Sequence, residues 1–400
     1  MQESFKLVGY SRDEAAGCDT KFLGEAEANK ALSFHSSIDG YEATPLVELP
    51  KLAEQLGLGE VRLKDESYRF GLNAFKVLGG SYAIGRYIAD KLGEKLEDLP
   101  FRRLISEEIK ERLGDMTFVT ATDGNHGRGV AWTANKLQQH SVVYMPKGSA
   151  TERLENIRAL GADASITDLN YDGAVEMANE AAEKNGWVMV QDTAWDGYED
   201  IPRWIMQGYT SMALEAYRQL GGQKPTHIFL QAGVGSLAGA VAGFFADVYG
   251  EQRPIITIVE PNKADCIYRT AEARDGTRHF VTDDMNTIMA GLACGEPNTV
   301  SWEVLKNCSD YFVSCPDYVA AKGMRLLGSP IKGDAQVISG ESGAVTAGLL
   351  AEVMEKPELF WLRDKLQLNA NSRVLLFSTE GDTDRENYRI FVWNGLYPSV

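Results

Sequence analysis

The sequence predicts an α/β protein of two lobes, each built on an open, mostly parallel sheet. Short apolar, β-branched runs alternate with helical stretches along most of the chain, the pattern of parallel strands joined by helical crossovers. A length of 400 residues exceeds what one hydrophobic core usually organises. Glycine- and hydroxyl-rich turns recur where predicted strands hand over to helices, and ligands of open α/β sheets gather beyond the carboxyl ends of strands.

Val61-Arg62-Leu63 reads as a short strand leading into a turn that ends at Lys76. Residues 78–92 read as a helix of small and apolar residues, and 91–115 as a charged, helical surface excursion. A tight series follows: strand 117–120, helix 127–137, strand 142–145, helix 152–160, strand 164–167, helix 173–184 and strand 188–190. Such short loops mark compact βα units. The second half gives helix 204–220, strand 227–230, a glycine turn, helix 237–245, strand 255–260 and a closing strand 374–378. No Pro/Ser linker or internal repeat is apparent. The expected division is a large domain from residues 1–80 and 190–400, with a small α/β domain inserted at 81–189.

Composition narrows the partners. Acidic residues outnumber basic ones 57 to 40, a net charge of −17 that disfavours nucleic acid and anionic membranes. The start, Met1-Gln2-Glu3-Ser4-Phe5-Lys6, lacks the basic and apolar regions of a signal peptide, so a cytoplasmic location is expected. The longest apolar stretch, 228–246, is interrupted by Gly233, Gly235, Gly239 and Gly243 and begins as a strand, which argues against a membrane span. The five cysteines contain no CxxC pair and the five histidines form no ligand cluster, so no metal is expected. Free thiols are the default, although Cys266 and Cys294 both fall near motifs and the sequence leaves a disulfide between them open.

Four segments carry chemistry. Asn73-Ala74-Phe75-Lys76, followed by Val77-Leu78-Gly79-Gly80, sets a single lysine among apolar residues and glycines. An ammonium loses hydration on burial, so such a lysine is a candidate for a lowered pKa and a Schiff base. The bland alternative is a snorkelling lysine with its stem on the core. Ala232-Gly233-Val234-Gly235-Ser236-Leu237-Ala238-Gly239 follows a strand and opens a helix, where converging N–H groups cradle a phosphate. The same run fits a dinucleotide fingerprint with Glu260 placed for a ribose contact, and a ligand-free tight turn is the third reading. Thr122-Asp123-Gly124-Asn125-His126-Gly127 is a second polar turn whose N–H groups can hold a carboxylate. There Asn125 can reach a phenolic oxygen and His126 reads as structural; the bland alternative is Asp123 as a helix cap. Leu376-Phe377-Ser378-Thr379-Glu380-Gly381-Asp382-Thr383 ends the last strand in hydroxyls and acids.

Together these segments resemble the fold type II (tryptophan synthase β-like) family of pyridoxal-phosphate enzymes, which includes serine and threonine dehydratases and cysteine synthase. The resemblance runs from Gly40-Tyr41-Glu42-Ala43-Thr44-Pro45-Leu46 to Tyr388-Arg389. Beyond the lysine and 122–129 turns, its specific stretches are Lys64-Asp65-Glu66-Ser67, Gln191-Asp192-Thr193-Ala194-Trp195, Met289-Ala290-Gly291-Leu292-Ala293-Cys294-Gly295-Glu296-Pro297 and Ser378-Thr379-Glu380-Gly381-Asp382. It implies pyridoxal 5'-phosphate as cofactor and a homodimer. It makes Lys76 the Schiff-base lysine and Asn125 the partner of the cofactor's ring oxygen. Gly233, Val234, Gly235, Ser236 and Leu237 become the phosphate loop. Ser378, or its neighbour Thr379, faces the pyridine nitrogen, and Glu341 lies near the ring. A hydroxyl opposite that nitrogen suits elimination better than transamination, because it does not hold the nitrogen protonated as a carboxylate would.

Dehydratases of this family carry Ser-x-Gly-Asn with a small neutral residue at x. Here Thr122-Asp123-Gly124-Asn125 puts an acid beside the substrate's carboxylate, which is unfavourable unless the substrate brings a cation. Within the family the resemblance is to members that act on a diamino acid, and it implies α,β-elimination of 2,3-diaminopropionate, L and also D, to pyruvate and two ammonia. Thr122, Asp123, Gly124 and His126 would line the substrate with Asp192. Lys76 would take the α-proton on one face and Asp123 on the other, while Asp192 binds and orients the β-amine. A serine/threonine dehydratase of the same fold and a dinucleotide-binding oxidoreductase are the alternatives.

Overall fold

The computed structural model describes residues 5–10, 12, 19–122 and 124–399; Asp123 lies outside the described residues. Seven strands form the larger sheet and four the smaller. In chain order they are β1 (Lys6–Gly9), β2 (Leu46–Glu48), β3 (Glu60–Asp65), β4 (Thr117–Ala121), β5 (His140–Met145), β6 (Asp163–Ile166), β7 (Val188–Met189), β8 (His227–Gln231), β9 (Ile255–Pro261), β10 (Tyr311–Cys315) and β11 (Arg373–Ser378). The larger sheet runs β1-β10-β9-β8-β11-β3-β2, and the smaller β6-β5-β4-β7. Every pairing is parallel except β1 with β10 and β2 with β3, which close the two edges of the larger sheet antiparallel.

Central parallel strands are covered on both faces and so read as continuous apolar runs. All five residues of β8 are buried. Its Ile228 and Leu230 join Leu375, Phe377, Ile256 and Ile258 in one core, while Phe229 joins Val374, Leu376 and Val259 in the other. In the smaller sheet Val119 and Ala121 pack on Ala174 and Ala178 of helix Tyr171–Asn185. Val143 and Met145 pack on Ala131, Leu154 and Ile157 across the opposite face.

Two sequence expectations change. Residues 91–115 are no surface excursion: a 3-10 turn (Leu96–Asp98) and short helices Phe101–Leu104 and Glu107–Leu113 bury Leu99, Phe101, Leu104 and Ile109 in the larger core. The charges around these anchors conceal them from a composition reading. The helix expected at 127–137 is Asn125–Lys136, because Gly124 (φ 154°, ψ −64°) turns the chain directly into it. Asn125 and His126 thereby occupy its first turn. Gly129 brings this helix onto the start of helix Val77–Leu92; a Cβ there would stand 2.8 Å from Val77 Cα.

The turn that delivers Lys76 rests on a buried charge network. Beyond β3, the segment Glu66–Gly71 is held by Arg69, which donates to Glu66 Oε2 (2.9 Å) and Oε1 (2.8 Å) and to Glu215 Oε1 (2.9 Å) and Oε2 (2.8 Å). Lys64 Nζ donates to Glu215 Oε2 at 2.7 Å, Gln219 Oε1 at 2.8 Å and the Thr44 carbonyl at 2.6 Å. Glu215 stands on helix Asp200–Gln219, so the network ties that helix to the turn. All four charged side chains are buried. Burial alone would raise the Glu215 carboxyl, but Arg69 and then Lys64 hold it down at about 2. Glu215→Ala strands two buried cations on one remaining carboxylate, and we expect a loss of about 3–5 kcal/mol in urea-unfolding free energy. A change below about 1 kcal/mol, the size of an exposed pair, would show the network to be dispensable.

Candidate active site

A cleft of about 850 Å³ is lined by Lys76, Asn125, Asp192, Thr379 and the glycine loop after β8, placing it beyond the carboxyl ends of strands from both sheets. Lys76 Nζ donates to Asp192 Oδ2 at 2.9 Å. Asp192 Oδ1 accepts from Tyr171 Oη and Gln191 Nε2, each at 3.3 Å. His126 Nε2 donates to the Val190 carbonyl at 2.8 Å, leaving Nδ1 facing Asp192 Oδ2 at 3.9 Å. Burial would raise the Asp192 carboxyl; the charges of Lys76 and His126, with hydrogen bonds from Lys76 and Tyr171, outweigh it and hold Asp192 at about 2. An ionised carboxylate thus sits beside the lysine across the neutral range. Phe75 and Tyr209, with ring centroids 4.7 Å apart, form the apolar wall next to Lys76.

The glycine loop joins β8 to helix Ser236–Tyr249. Gly235 has φ 100°, and a Cβ there would meet Ser301 Oγ at 2.7 Å, so only glycine fits. A Cβ on Gly233 would press on Cys294 Sγ at 3.1 Å and the Gly291 carbonyl at 3.2 Å. Ser236 Oγ donates to the Asp192 carbonyl at 2.5 Å and accepts from Asn298 Nδ2 at 2.9 Å, which ties the loop to the acid. Backbone N–H groups at this helix start remain for an anion. A side-chain-free anion cradle facing a lysine, between an amide and a hydroxyl, fits pyridoxal phosphate.

The remaining sequence candidates separate into wall and support. Asn125, Val234, Leu237 and Glu341 line the cleft; Thr122, Gly124 and His126 are buried behind it, with Thr122 Oγ1 accepting the Gly124 N–H at 2.9 Å. Ser378 is wholly buried and donates to Ser339 Oγ at 2.7 Å, whereas Thr379 lines the cleft and accepts from Gln231 Nε2 at 3.0 Å. Glu260 accepts the N–H groups of Ile267 (2.9 Å) and Tyr268 (2.6 Å) at the start of helix Cys266–Ala273 and is buried, which removes it from any ribose contact. Cys266 and Cys294 are buried thiols flanking Gly233, and burial pushes the Cys266 thiol well up. Among the described residues no His/Cys/Asp/Glu group is arranged to hold a metal, and no helix is long and apolar enough to cross a membrane.

The structure adds residues that sequence reasoning did not single out. Asn125 Nδ2 donates to Glu380 Oε2 in a short hydrogen bond, and Glu380 Oε1 accepts the Ser342 N–H at 3.3 Å. Arg153 Nη2 pairs with Glu341 Oε1 at 2.6 Å, joining helix Thr151–Arg158 to helix Glu341–Glu355 across the cleft. The only sequence signal for Glu380 was its place in the run after β11.

Comparison with known proteins gives a consistent result. A family model described as pyridoxal-phosphate dependent enzyme matches residues 38–359. Diaminopropionate ammonia-lyase of Salmonella typhimurium is 53% identical over 383 residues, 95% of each chain. The crystal structure of diaminopropionate ammonia lyase from Escherichia coli in complex with D-serine superposes with a TM-score of 0.92 at 48% identity, over 99% of this chain and 98% of that one. The same enzyme in complex with an aminoacrylate-PLP azomethine reaction intermediate gives 0.90 at 48% identity and the same coverage.

Glu341 yields a pH prediction. Burial raises its carboxyl, Arg153 opposes and Glu380 adds, leaving it at about 7 against an ordinary 4.5. A carboxyl that holds its proton more tightly when folded favours the fold at low pH and loses that advantage as pH rises to the folded pKa. Stability relative to Glu341→Gln is expected to fall between pH 4.5 and 7 and then level off. Parallel stability–pH curves for the two proteins would refute the assignment.

Proposed function

The chain belongs to the diaminopropionate ammonia-lyases of the pyridoxal-phosphate dependent enzyme family, and on that premise we propose how its side chains divide the work. The enzyme is a carbon–nitrogen lyase that uses pyridoxal 5'-phosphate for α,β-elimination of 2,3-diaminopropionate to pyruvate and two ammonia. The observation that carries the division of labour is the Lys76–Asp192 contact of 2.9 Å, opposite the glycine cradle.

Bound pyridoxal phosphate supplies the electron sink that makes the substrate's α-proton acidic. Backbone N–H groups of 233–237 hold the phosphate, Asn125 the ring oxygen, and Thr379 or Ser378 the ring nitrogen, with Glu341 nearby. Lys76 would hold the cofactor's carbonyl carbon covalently, and its free Nζ would take the substrate's α-proton on its face. Asp123 serves the opposite face, which opens the site to the D isomer. Thr122, Gly124 and His126 shape the loop that receives the substrate carboxylate.

Asp192 reads the β-nitrogen. A protonated amine leaves as neutral ammonia, so a carboxylate that keeps that nitrogen protonated favours departure. Serine or threonine would leave the same buried anion facing a neutral hydroxyl. The dinucleotide alternative loses its acidic partner, because Glu260 is committed to the helix start. We take the enzyme to be a cytoplasmic homodimer, with residues 1–80 and 190–400 as the large domain and 81–189 as the small one.

Release of the 2-oxo acid (pyruvate, or 2-oxobutyrate from threonine) should be fast with L-diaminopropionate, measurable with the D isomer and slow with serine and threonine. Equal rates with serine would sink the diamino-acid reading. The protein should be yellow, lose its visible absorbance on borohydride reduction and carry the label on Lys76; a colourless protein that binds NAD would overturn it. Lys76→Ala should lower kcat by about 10²–10⁴ or more. Asp123→Asn should lose D-isomer turnover selectively, and retention of that turnover with normal cofactor binding would remove Asp123 from the mechanism.

A further inference from the structure

A second cavity, of about 380 Å³, lies beside the cleft and shares none of its wall residues among those described. Segment 380–385 runs between the two: Glu380 and Asp384 face the cleft, Asp382 and Thr383 the second cavity. Asn73 and Asp382 form one side, Arg128, Glu152 and Asn156 the other, with Arg385 among the lining residues. The first side belongs to segments after β3 and β11 of the larger sheet, the other to helices Asn125–Lys136 and Thr151–Arg158 beside the smaller.

Arg128 is the anomaly in this cavity. Its Nη1 donates to the Leu72 carbonyl at 2.9 Å, while its Nε is buried and makes no hydrogen bond among the described residues. Burial, and then the facing charge of Arg385, push its pKa below the ordinary value. Arg385 has Asp382 Oδ2 at 4.0 Å, whereas Arg128 has no carboxylate partner among the described residues, so an anionic ligand would supply the counter-charge it lacks.

The acids of the cavity are partly engaged by its other lining residues. Asp382 Oδ1 accepts from Asn73 Nδ2 at 3.0 Å, and its Oδ2 is 4.0 Å from Arg385 Nε. Glu152 Oε2 accepts the backbone N–H of Arg385 at 3.2 Å. Each retains lone pairs for a further donor. Arg128 therefore offers an unmatched cation, and Asp382 and Glu152 offer acceptors, within one cavity whose formal charges cancel. A small bare anion answers only half of that lining.

We propose that this cavity is a second, non-covalent binding site for a small α-amino acid in its zwitterionic form. The carboxylate sits on Arg128 and the ammonium on Asp382 and Glu152. The proposal goes beyond the elimination reaction, since no bond is made or broken here. The placement gives the site a regulatory reach. Asn73 precedes Lys76 by three residues, and Arg128 follows Asn125 by three on the same helix. An occupant joins the segment that carries the base to the segment that carries the cofactor's ring partner.

The test uses holoenzyme reduced with borohydride, in which Lys76 and the cofactor are locked together and amino acids no longer engage the cleft covalently. L-Alanine is titrated while the unfolding temperature is followed, with pyruvate and ethylamine as the carboxylate-only and ammonium-only probes. A saturable rise of about 2–5 °C is expected with L-alanine, and a smaller one with either half-probe. Arg128→Gln should abolish the rise while keeping the reduced cofactor's absorbance. Asp382→Asn should weaken half-saturation by about tenfold, and it stands in if the arginine variant does not fold. No rise in the parent enzyme overturns the proposal. So does a rise that survives both substitutions, and a response to pyruvate as strong as that to L-alanine overturns the zwitterion assignment.

Discussion

The cleft depends first on where Lys76 is held, and that position rests on four charges buried beneath it. Lys64, Glu66, Arg69 and Glu215 form a closed set of two cations and two anions in which the guanidinium grips both carboxylates. Removing such ions from water costs several kcal/mol each, so the set is tolerable only when complete. That requirement gives the turn one geometry. A hydrophobic substitute of equal volume would pack, but it would not specify the angle at which 66–72 leaves β3 or tie that angle to helix Asp200–Gln219. The lysine's position is thereby set from below, before any ligand arrives.

Above the lysine, environment separates carboxyl groups that start alike. Asp192 gathers Lys76, His126 and Tyr171 and stays ionised far below neutrality. Glu341 lies equally buried, but the repulsion of Glu380 offsets the pull of Arg153, and burial leaves it titrating near neutrality. The two acids thus differ in character: a standing negative charge beside the Lys76 ammonium, and a group that can change charge where the cleft's two sides meet. His126 links the first acid to the polar turn, since its ring is pinned to Val190 two residues before Asp192.

Much of this was legible because the chemistry demands unusual residues in unusual places. A lysine followed by glycines, and a glycine run between a strand and a helix, each has a structural explanation alone, but their shared placement beyond strand ends does not, and the sheet's central strands announce themselves as unbroken apolar runs. The parts that stayed hidden are long-range pairings. Glu380 meets Asn125 across 255 positions and Arg153 meets Glu341 across 188, and no local pattern marks either. Which of the adjacent hydroxyls Ser378 and Thr379 lines the cleft follows from how the chain leaves β11, which the residue types do not reveal. Phe101 and Leu104 were masked by surrounding charge. Helices Glu25–Ser36, Thr299–Cys308 and Asp317–Gly328 were not read at all, and the whole edge of the larger sheet at β10 went with them.

Gly129 gives the cleft its tolerance in the machinist's sense. Where two helices meet through side chains, rotamer changes absorb small errors, and the spacing drifts as packing relaxes. Here the helix that begins with Asn125 rests on the backbone of Val77 with nothing interposed. The gap between the amide and the lysine is therefore gauged by main-chain thickness, the least adjustable dimension in a protein. Evolution or design can recut the walls of this cleft freely, but it cannot shim that joint.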